Sequence, residues 1–310
     1  EGCKKLAVNI GNRKEAIKTA IKELGTNEIL LVAGKGHEKI QDYGNRILNF
    51  SDKKVIKEII KKKSFTNKNY WTNFIAQKSF KNNKLKNINY NGVSINSKSM
   101  KKNNLFFAIK GKNTDGHKFV NEAIRKGAIK CVVSRKIKHV SKNKIIKVKN
   151  TFSSLNDLAR VNRNNTSAQI IGITGSVGKT TLKNLISFAL KNYGKVYYSP
   201  YSYNNKFGVP FSLSNLKKNT EYGIFEIGMD KKGEINTLSK IVKPEIAVIT
   251  NIAEAHLKNF NTLKDIAKAK AEIIDNISEG GSIILNKDDK FFNFLSNKAK
   301  KKGIFVVSFS

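Results

Sequence analysis

The sequence predicts an α/β fold in which a mostly parallel sheet forms the central part of the chain, and three observations lead to this prediction. From residue 151 onward, short apolar runs alternate with helical patterns, as right-handed β-α-β units require. One of these runs passes through a glycine-rich turn directly into a helix, at residues 175–180. A shorter series of apolar runs around a single helix precedes it, at residues 92–148. We therefore expect a larger α/β domain preceded by a smaller one.

A first domain is predicted over residues 1–63. Apolar positions in 13–24 recur at helical spacing, and the apolar run 29–33 reads as a strand that follows this helix. After a glycine-rich turn, Ser51-Asp52 caps a second helix, 53–62. The lysine cluster at the end of this helix is favourable at a helix C-terminus, so we place a domain boundary directly after it.

Residues 64–150 form the second predicted domain and residues 151–310 the third. In the second domain, four short strands surround one helix, at 92–95, 105–109, 131–134 and 145–148 around 118–126. A connecting helix opens the third domain, which then alternates strands and helices, at 152–164, 170–174, 180–192, 222–227, 246–250, 263–277 and 282–285. Because the sequence begins at Glu1 rather than Met and stops inside the strand-like run 304–309, we expect it to be a piece of a longer protein.

The composition favours a cytoplasmic protein without membrane insertion. The two cysteines, Cys3 and Cys131, are far apart and have no companions at metal-ligand spacing, which excludes a disulfide framework and a zinc cluster. No apolar run approaches the roughly 18 to 20 residues of a membrane span. The formal net charge of +36 comes from lysines spread over every segment, with arginine at only six positions. We interpret this charge as a bias of AT-rich coding, and we predict no nucleic-acid partner.

A phosphate-binding P-loop is predicted between an apolar strand and a helix. Its residues are Gly175, Ser176, Val177, Gly178, Lys179 and Thr180. Glycines allow backbone N–H groups to face a phosphate at a helix N-terminus, Lys179 reaches the outer phosphates, and the hydroxyl of Thr180 can hold Mg²⁺. The strict pattern requires glycine at Ile173, so the loop is a compressed form. It predicts ATP binding.

Three further residues are candidates for chemistry beside this loop. Glu226 ends a strand-like run and would stand at the carboxyl edge of the sheet, where a Mg²⁺ ligand is expected. A glutamate at a strand end is otherwise a solvated surface residue. His256 has the alternative of a structural histidine, and Lys270 that of a solvent-facing lysine among its helical neighbours. These alternatives are more common than a functional role for any one of the three residues taken alone.

Taken in order, the motifs resemble those of the Mur ligases, the ATP-dependent amide-forming enzymes of peptidoglycan precursor synthesis. The resemblance covers nearly the whole chain from about Trp71 onward, with motifs at 106–111, 115–117, 174–181, 204–210, 226–228, 251–257 and 267–272. It implies a central ATPase domain with a mostly parallel sheet and a smaller α/β uridine-nucleotide domain. Within the family, the motifs are most similar to those of the members that join D-alanyl-D-alanine to UDP-MurNAc-tripeptide through an acyl phosphate.

The resemblance also implies roles for individual residues. The P-loop with Thr181 and Asn251 would bind ATP, and Lys179, His256 and Lys270 would serve catalysis. One Mg²⁺ would lie at Thr180 and Glu226 and a second near His256, while Lys270 would be carbamylated. Ser97, Lys98, Asn204 and Asn205 would contact the substrate. The chain departs from the family pattern at Asn96-Ser97-Lys98, where Asp-Ser-Arg is usual, and at Ser202 and Lys258.

The first 62 residues are similar to a different member of the same family. The segment Gly34-Lys35-Gly36-His37-Glu38 resembles the tail of the C-terminal domain of the preceding ligase, in which Gly34 and Glu38 would help to hold the incoming diamino acid. A plain glycine-rich turn is the alternative. We therefore expect the junction of two fused ligases, truncated on both sides.

Two alternatives to this function remain from the sequence. The chain could be another amide ligase of the same family that acts on a different acceptor. It could also be a basic nucleic-acid-binding protein whose P-loop serves a motor or a switch, which predicts arginine and aromatic residues clustered on one face. The sequence shows no such cluster, and it makes no prediction of the oligomeric state.

Overall fold

The computed structural model divides the chain into two compact units, Glu1–Tyr70 and Trp71–Ser310. The residues it describes are 9–23, 29–34, 38, 40–42, 47–66, 68–80, 88–111, 113–254 and 259–310. Within these ranges, no helix has the length and apolar character needed to cross a lipid bilayer.

The described residues of the first unit include helices α1 (Arg13–Glu23) and α2 (Asp52–Thr66) and a small antiparallel ribbon. The ribbon consists of β1 (Ile40–Asp42) and β2 (Ile47–Asn49). The two helices pack through a small apolar cluster that includes Ile17, Ile21 and Val55. Arg13 links α1 to two other parts of the unit. Its guanidinium pairs with Asp52, at the start of α2, and donates to the carbonyl of Ala33.

Two predictions for this unit need correction or extension. The predicted strand at 29–33 is wrong, because these residues are in neither a strand nor a helix. Ile29 and Leu31 are largely exposed, and none of the described strands pairs with this run. Helix α2 begins as predicted but runs on to Thr66, and α3 (Lys68–Phe80) follows it closely. The helical chain thus continues past the predicted boundary.

The smaller sheet has four parallel strands in the order β3-β4-β5-β6. Its strands are β3 (Val93–Ser94), β4 (Leu105–Phe107), β5 (Lys130–Val133) and β6 (Ile145–Lys147). The predicted helix between β4 and β5 is present as a 3-10 turn, Gly116–Phe119, followed by α4 (Val120–Arg125). One face of the sheet packs against α4, and the other contributes to an apolar cluster with α5 (Thr151–Asn164).

The larger sheet has six strands in the order β12-β11-β10-β7-β9-β8, and every pairing is parallel. The strands are β7 (Gln169–Thr174), β8 (Val196–Tyr198), β9 (Tyr222–Glu226), β10 (Ile246–Ile249), β11 (Ser282–Asn286) and β12 (Phe305–Phe309). The helices are α6 (Lys179–Leu190), α7 (Gly208–Ser214), α8 (Glu234–Val242), α9 (Leu263–Lys270) and α10 (Phe292–Lys301). A 3-10 turn, Ala271–Asn276, continues α9. The predicted α/β alternation is confirmed, while β8, α7, α8 and α10 were not predicted.

Helix α6 covers one face of this sheet and the remaining helices cover the other. The apolar side of α6 packs onto Ile171, Ile173, Ile224 and Val248. The opposite face forms the largest apolar cluster, with side chains from α5 and from α7 to α10. Because the helices on this second face pack closely against the sheet, the residues at its carboxyl edge are held in fixed positions relative to one another.

The strand order changes direction at β7, which lies between β9 and β10. The chain goes from β7 to the β8–β9 side and then crosses to β10 on the other side. Ile173 is paired with Glu226, and Thr174 with Ile249, so the three strands end at the same edge. In open α/β sheets, ligands bind at such a switch point, outside the carboxyl ends of the strands.

Candidate active site

The turn between β7 and α6 has the geometry that its glycines permit. Gly178 lies at the N-cap of α6 with φ of +82°, and Gly175 has φ of +146°, both in the region that L side chains rarely adopt. A Cβ at Gly175 would also overlap the hydroxyl of Thr250. Ile173 is fully buried within β7, before the turn begins, so the position where the strict pattern requires glycine is part of the strand here.

The segment after β10 braces this turn. Asn251 accepts a bond from the Val177 amide at its side-chain oxygen (3.0 Å) and from the Ser176 amide at its carbonyl (3.0 Å). The Ser176 hydroxyl donates to the carbonyl of Ala253 (2.8 Å). Asn251 thus engages two of the loop amides predicted to face a phosphate. The amides that open α6, from Gly178 to Thr180, have no acceptor within the helix and are directed outward from its N-terminus.

Lys179 lies at the first turn of α6, folded over the loop. Its Nζ donates to the carbonyls of Gly175 (2.8 Å) and Ser176 (3.2 Å). Burial lowers the pKa of Lys179, and the negative charge of Glu226 offsets part of that effect. These two hydrogen bonds hold the ammonium group of Lys179 at the N-terminus of the helix, where outer phosphates would bind. Thr181, another residue predicted to bind ATP, is exposed on α6.

Glu226 lies at the centre of a buried polar cluster. It is only 1% exposed, so the alternative of a solvated surface residue is wrong. Its Oε2 accepts a hydrogen bond from the Thr180 hydroxyl (2.8 Å), and its Oε1 accepts one from the Asn204 amide (2.8 Å). The ammonium of Lys183 lies 3.6 Å from Oε2. The sequence had predicted Thr180 and Glu226 at one Mg²⁺ site and Asn204 at the substrate. The structure brings these three residues together and adds Lys183.

Lys270 ends helix α9 inside the protein. It is 2% exposed, so the solvent-facing alternative is wrong for this lysine. Burial and, to a smaller extent, the positive charge of Lys179 together lower the pKa of Lys270 to about 7. A lysine with such a pKa is substantially neutral at physiological pH, and its amine is then a nucleophile.

His256 lies outside the described residues, together with the Ala255 and Leu257 of its motif. The predicted second metal position therefore remains a prediction. In the first unit, Gly34 has φ of +108° and Glu38 is exposed, while the three residues between them are also outside the described part of the chain. Their proposed contact with a diamino acid remains a prediction as well.

A cavity of about 580 Å³ lies between the smaller sheet and the loop that leads into α7. Residues from both sides line it, among them Asn96, Lys98, Phe119, Tyr203, Asn205 and Phe207. Ser97 also lines the cavity, but its hydroxyl donates to Glu122 (2.8 Å) and is therefore engaged. The side chain of Asn205 accepts the amides of Phe207 and Gly208 (both 3.0 Å) and so caps α7.

Sequence reasoning missed several residues that build these sites. Lys183 follows Lys179 by one helical turn, and that spacing was the available signal. Tyr203 and Phe207 flank the predicted asparagine pair, as aromatic residues beside a polar motif. Asp289 accepts the Ile252 amide (2.7 Å) and so supports the segment that braces the P-loop. No local signal in the sequence pointed to Asp289.

Comparison with known proteins matches two regions of the chain to Mur ligase family models. Residues 89–167 match the family description "Mur ligase family, catalytic domain", and residues 173–310 match "Mur ligase middle domain". A UDP-N-acetylmuramoyl-tripeptide--D-alanyl-D-alanine ligase of Rickettsia prowazekii (strain Madrid E) is 42% identical over 217 residues. The alignment covers 70% of this chain and 48% of that relative.

Two solved structures are similar to the chain. MurF from Acinetobacter baumannii superposes with a TM-score of 0.67 at 29% identity, over 77% of this chain and 53% of the other. MurF ligase from Thermotoga maritima, solved in complex with ADP, gives a TM-score of 0.61 at 34% identity, over 70% and 49%. The chain spans about half the length of these relatives.

Proposed function

The chain belongs to the Mur ligase family, and from that premise we propose that it forms the nucleotide and acceptor sites of an ATP-dependent amide ligase. The ligase would add D-alanyl-D-alanine to UDP-MurNAc-tripeptide, as the names of its relatives indicate. One observation carries the proposal. Lys179, Thr180, Glu226 and Lys270 meet at the carboxyl edge of the larger sheet, and Glu226 and Lys270 there are almost fully buried.

The proposed reaction has two steps. A carboxylate oxygen of the tripeptide bonds to the γ-phosphorus of ATP, the bond from that phosphorus to the β-phosphate oxygen breaks, and ADP leaves. The amine of the dipeptide then attacks the carbonyl carbon of the acyl phosphate, and inorganic phosphate leaves as the amide forms and the amine loses a proton. The ammonium of Lys179 and the first amides of α6 would hold the phosphates and neutralise the charge on the transferring group.

The donor set at the P-loop suits Mg²⁺. The hydroxyl of Thr180 and one oxygen of Glu226 are neighbours, at 2.8 Å, and both are oxygen donors of the kind that this ion prefers. The described residues contain no group of three His, Cys, Asp or Glu side chains that could hold a metal by themselves. Bound at Thr180 and Glu226, Mg²⁺ would withdraw charge from the phosphate oxygens, with a second ion near His256.

We further propose that Lys270 is carbamylated. Addition of CO₂ requires a neutral amine, and the burial of Lys270 with a pKa of about 7 supplies one. The carbamate is an anion, so it would replace repulsion between Lys270 and Lys179 by attraction. Lys270→Ala should abolish turnover, and added short carboxylic acids should restore part of it. Lys268→Ala, on the same helix, is the control and should behave as wild type. If the acids do not rescue a folded Lys270→Ala protein, Lys270 acts as an ordinary lysine.

The cavity of about 580 Å³ is the proposed site of the UDP-MurNAc-tripeptide. Lys98 supplies a positive charge to its rim, although without the two-pronged geometry of an arginine. Asn205 and the aromatic side chains of Tyr203 and Phe207 line the wall nearest the nucleotide site. This arrangement would direct the tripeptide carboxylate toward the P-loop, as the first step requires.

The first unit is proposed to derive from the ligase that precedes this one in the same pathway, as a natural or engineered fusion. Support comes from the resemblance of residues 34–38 and from the separate compact unit with its own apolar cluster. Assay of the full-length protein with a diamino acid and UDP-MurNAc-dipeptide tests this origin. Glu38→Gln should raise the KM for the diamino acid if Glu38 binds its ammonium group.

We propose a cytoplasmic location for the protein. The support is that Cys131 is a free, buried thiol, as is usual in a reducing compartment. Cell fractionation should recover the protein with the soluble cytoplasmic fraction, and recovery in a membrane pellet would contradict this location.

Release of phosphate by the full-length protein is the decisive measurement for the proposed function. The protein should release phosphate when it is given ATP, UDP-MurNAc-tripeptide and D-alanyl-D-alanine together. Omission of the dipeptide should stop turnover, because the acyl phosphate then has no amine to accept it. Phosphate release that is independent of the dipeptide would refute the proposal.

A further inference from the structure

Lys183 is a buried cation that the proposed reaction does not use. It follows Lys179 by one turn of α6, so both side chains leave the same face of the helix. Lys183 is 1% exposed, its Nζ donates to the carbonyl of Tyr201, and it lies 3.6 Å from Oε2 of Glu226. Lysine is almost never buried unless it is paired, because removal of an ammonium group from water is strongly unfavourable. Its position therefore requires both of these partners.

The two partners of Lys183 belong to different parts of the site. Glu226 is in the polar cluster with Thr180, at the head of the P-loop helix. Tyr201 belongs to the loop of residues 199–207, which connects β8 to α7 and which we name the acceptor loop. Tyr201 has φ of +48°, an unusual conformation for a residue with a side chain. Such a backbone persists only where its surroundings hold it, and the bond from Lys183 is one such contact.

The acceptor loop also contacts Glu226 at two further points. Ser199 accepts the Glu226 amide at its hydroxyl (3.2 Å), and the Asn204 side chain donates to the Glu226 carboxylate (2.8 Å). From there the loop continues to Tyr203, Asn205 and Phe207. These residues line the cavity of about 580 Å³, which we name the acceptor cavity. A continuous set of contacts therefore runs from the P-loop helix through Lys183 to the cavity wall.

We propose that Lys183 is a positioning residue that couples the nucleotide site to the acceptor cavity, by holding the acceptor loop against Glu226. It sets where the cavity wall stands relative to the phosphates, and it does so without contact with either substrate. The kinetic part of this inference rests on the proposed function. The coupling itself requires only that the chain binds a nucleotide.

The first test separates positioning from general stability. Lys183→Met keeps the length of the side chain and removes both the charge and the donor. We expect kcat/KM for the UDP-MurNAc-tripeptide to fall about 100-fold, as small displacements of reacting groups do. The change should appear in the KM for the UDP-MurNAc-tripeptide and in kcat. The affinity for ADP should change much less, because the Lys183 ammonium is already bonded to the carbonyl of Tyr201.

Lys298→Met is the matched control. Lys298 likewise donates to one carbonyl, that of Ala271 (2.8 Å), and to one carboxylate, that of Asp275 (2.9 Å), but these partners lie outside the nucleotide site and the acceptor cavity. The loss of Lys298 should leave the KM for the UDP-MurNAc-tripeptide unchanged. An equal rise in this KM in both variants would show that a general loss of stability, and not positioning, is the cause.

The second test measures the coupling without turnover. Amide hydrogen exchange in the acceptor loop of the wild-type chain should slow when ADP binds, and Lys183→Met should lose this effect while it still binds ADP. Lys183→Gln keeps a donor and loses the charge, so it carries the same comparison if Lys183→Met does not fold. A wild-type loop that does not respond to ADP, or a folded Lys183 variant with an unchanged response, would overturn the inference. Because this measurement needs no ligase activity, the response can be present even if the proposed reaction is wrong.

Discussion

The two parallel sheets of the second unit differ in how far the charged side chains beside them are exposed to solvent. At the carboxyl edge of the six-stranded sheet, Lys183, Glu226 and Lys270 are each no more than 2% exposed. Beside the four-stranded sheet, ion pairs lie near the surface, and the side chains of Arg135 and Lys126 are 59% and 42% exposed. The strands are parallel in both sheets, so the difference comes from what surrounds their ends.

The difference shows where the fold accepts an energetic cost. Burial of a charge is unfavourable unless its partners compensate, and buried clusters of charged side chains occur often at functional sites. At the smaller sheet, burial alone would raise the pKa of Asp115, but hydrogen bonds from His117 and the charge of Arg135 outweigh it and lower that pKa. The Asp115–Arg135 pair links the residue before the 3-10 turn to the segment after β5. Because Arg135 is largely exposed, its burial costs little free energy. Four predictions test the contrast, from the largest expected effect to the smallest.

Lys179→Ala should have the largest effect. It removes the ammonium group from the head of α6, and we expect turnover of the full-length protein to fall by about 10³-fold, as the loss of one preorganised donor does. Phosphate release at saturating substrates is the measurement. Lys191→Ala removes an exposed lysine at the other end of the same helix and should retain wild-type turnover. Comparable losses in the two variants would remove the special role of the P-loop lysine.

Glu226→Gln should destabilise the fold more than any change at the smaller sheet. The substitution keeps the shape and leaves the Lys183 ammonium buried without its anion, so we expect the free energy of unfolding to fall by about 3 kcal/mol. Urea unfolding of the chain, followed by circular dichroism, measures the change. A loss below about 1 kcal/mol would mean that the cluster is well hydrated and behaves as a surface pair.

Lys270 should make stability depend on pH. The folded chain releases its proton at a pKa of about 7 and the unfolded chain near the ordinary value of 10.5. Between these values the unfolded state binds more protons, so stability rises with pH through that window and is flat below it. Lys270→Met should lose up to about 1.4 kcal/mol per pH unit of this slope in CO₂-free buffer. Lys268→Met is the control, and identical slopes in wild type and Lys270→Met would place Lys270 in water.

Arg135→Gln should have the smallest effect. Its partner Asp115 keeps both bonds from His117, and the pair is largely exposed, so we expect less than about 1 kcal/mol of lost stability. The same urea experiment measures it. Added salt should reduce the difference further, because exposed charges are screened. A loss as large as that of Glu226→Gln would end the contrast between the two sheets.

Much of the larger domain could be predicted from the sequence because its signals are local. The apolar runs of β7, β9, β10 and β11 stand out from their polar flanks, and the structure confirms them. The short strand β8 and helix α7 carry weak periodicity, and long-range packing stabilises them. The run at 29–33 shows the reverse error, because its apolar pattern predicted a strand and these residues are in none.

The pairing of Thr180 with Glu226 was predicted from the sequence, but the other contacts of Glu226 were not. Glu226 was placed at a strand end, which follows from the pattern of β9. Its contacts with Asn204 and Lys183 join residues about 20 and 40 positions apart, and no local pattern gives such pairings. Asn251 was predicted to contact the nucleotide, yet the structure has it holding the amides of Ser176 and Val177. The pairing of the ends of β7 and β10 brings Asn251 next to Ser176 and Val177.

The sequence by itself determined the strand, turn and helix of the P-loop, because the backbone angles at Gly175 and Gly178 are a local requirement that glycine meets. The tertiary structure decided which charges are buried. Lys264, Lys268 and Lys270 all lie on α9 and are equivalent by composition. Packing of that helix against the rest of the domain buries Lys270 beside Lys179. Burial depends on every element that surrounds a side chain, and therefore on the complete fold.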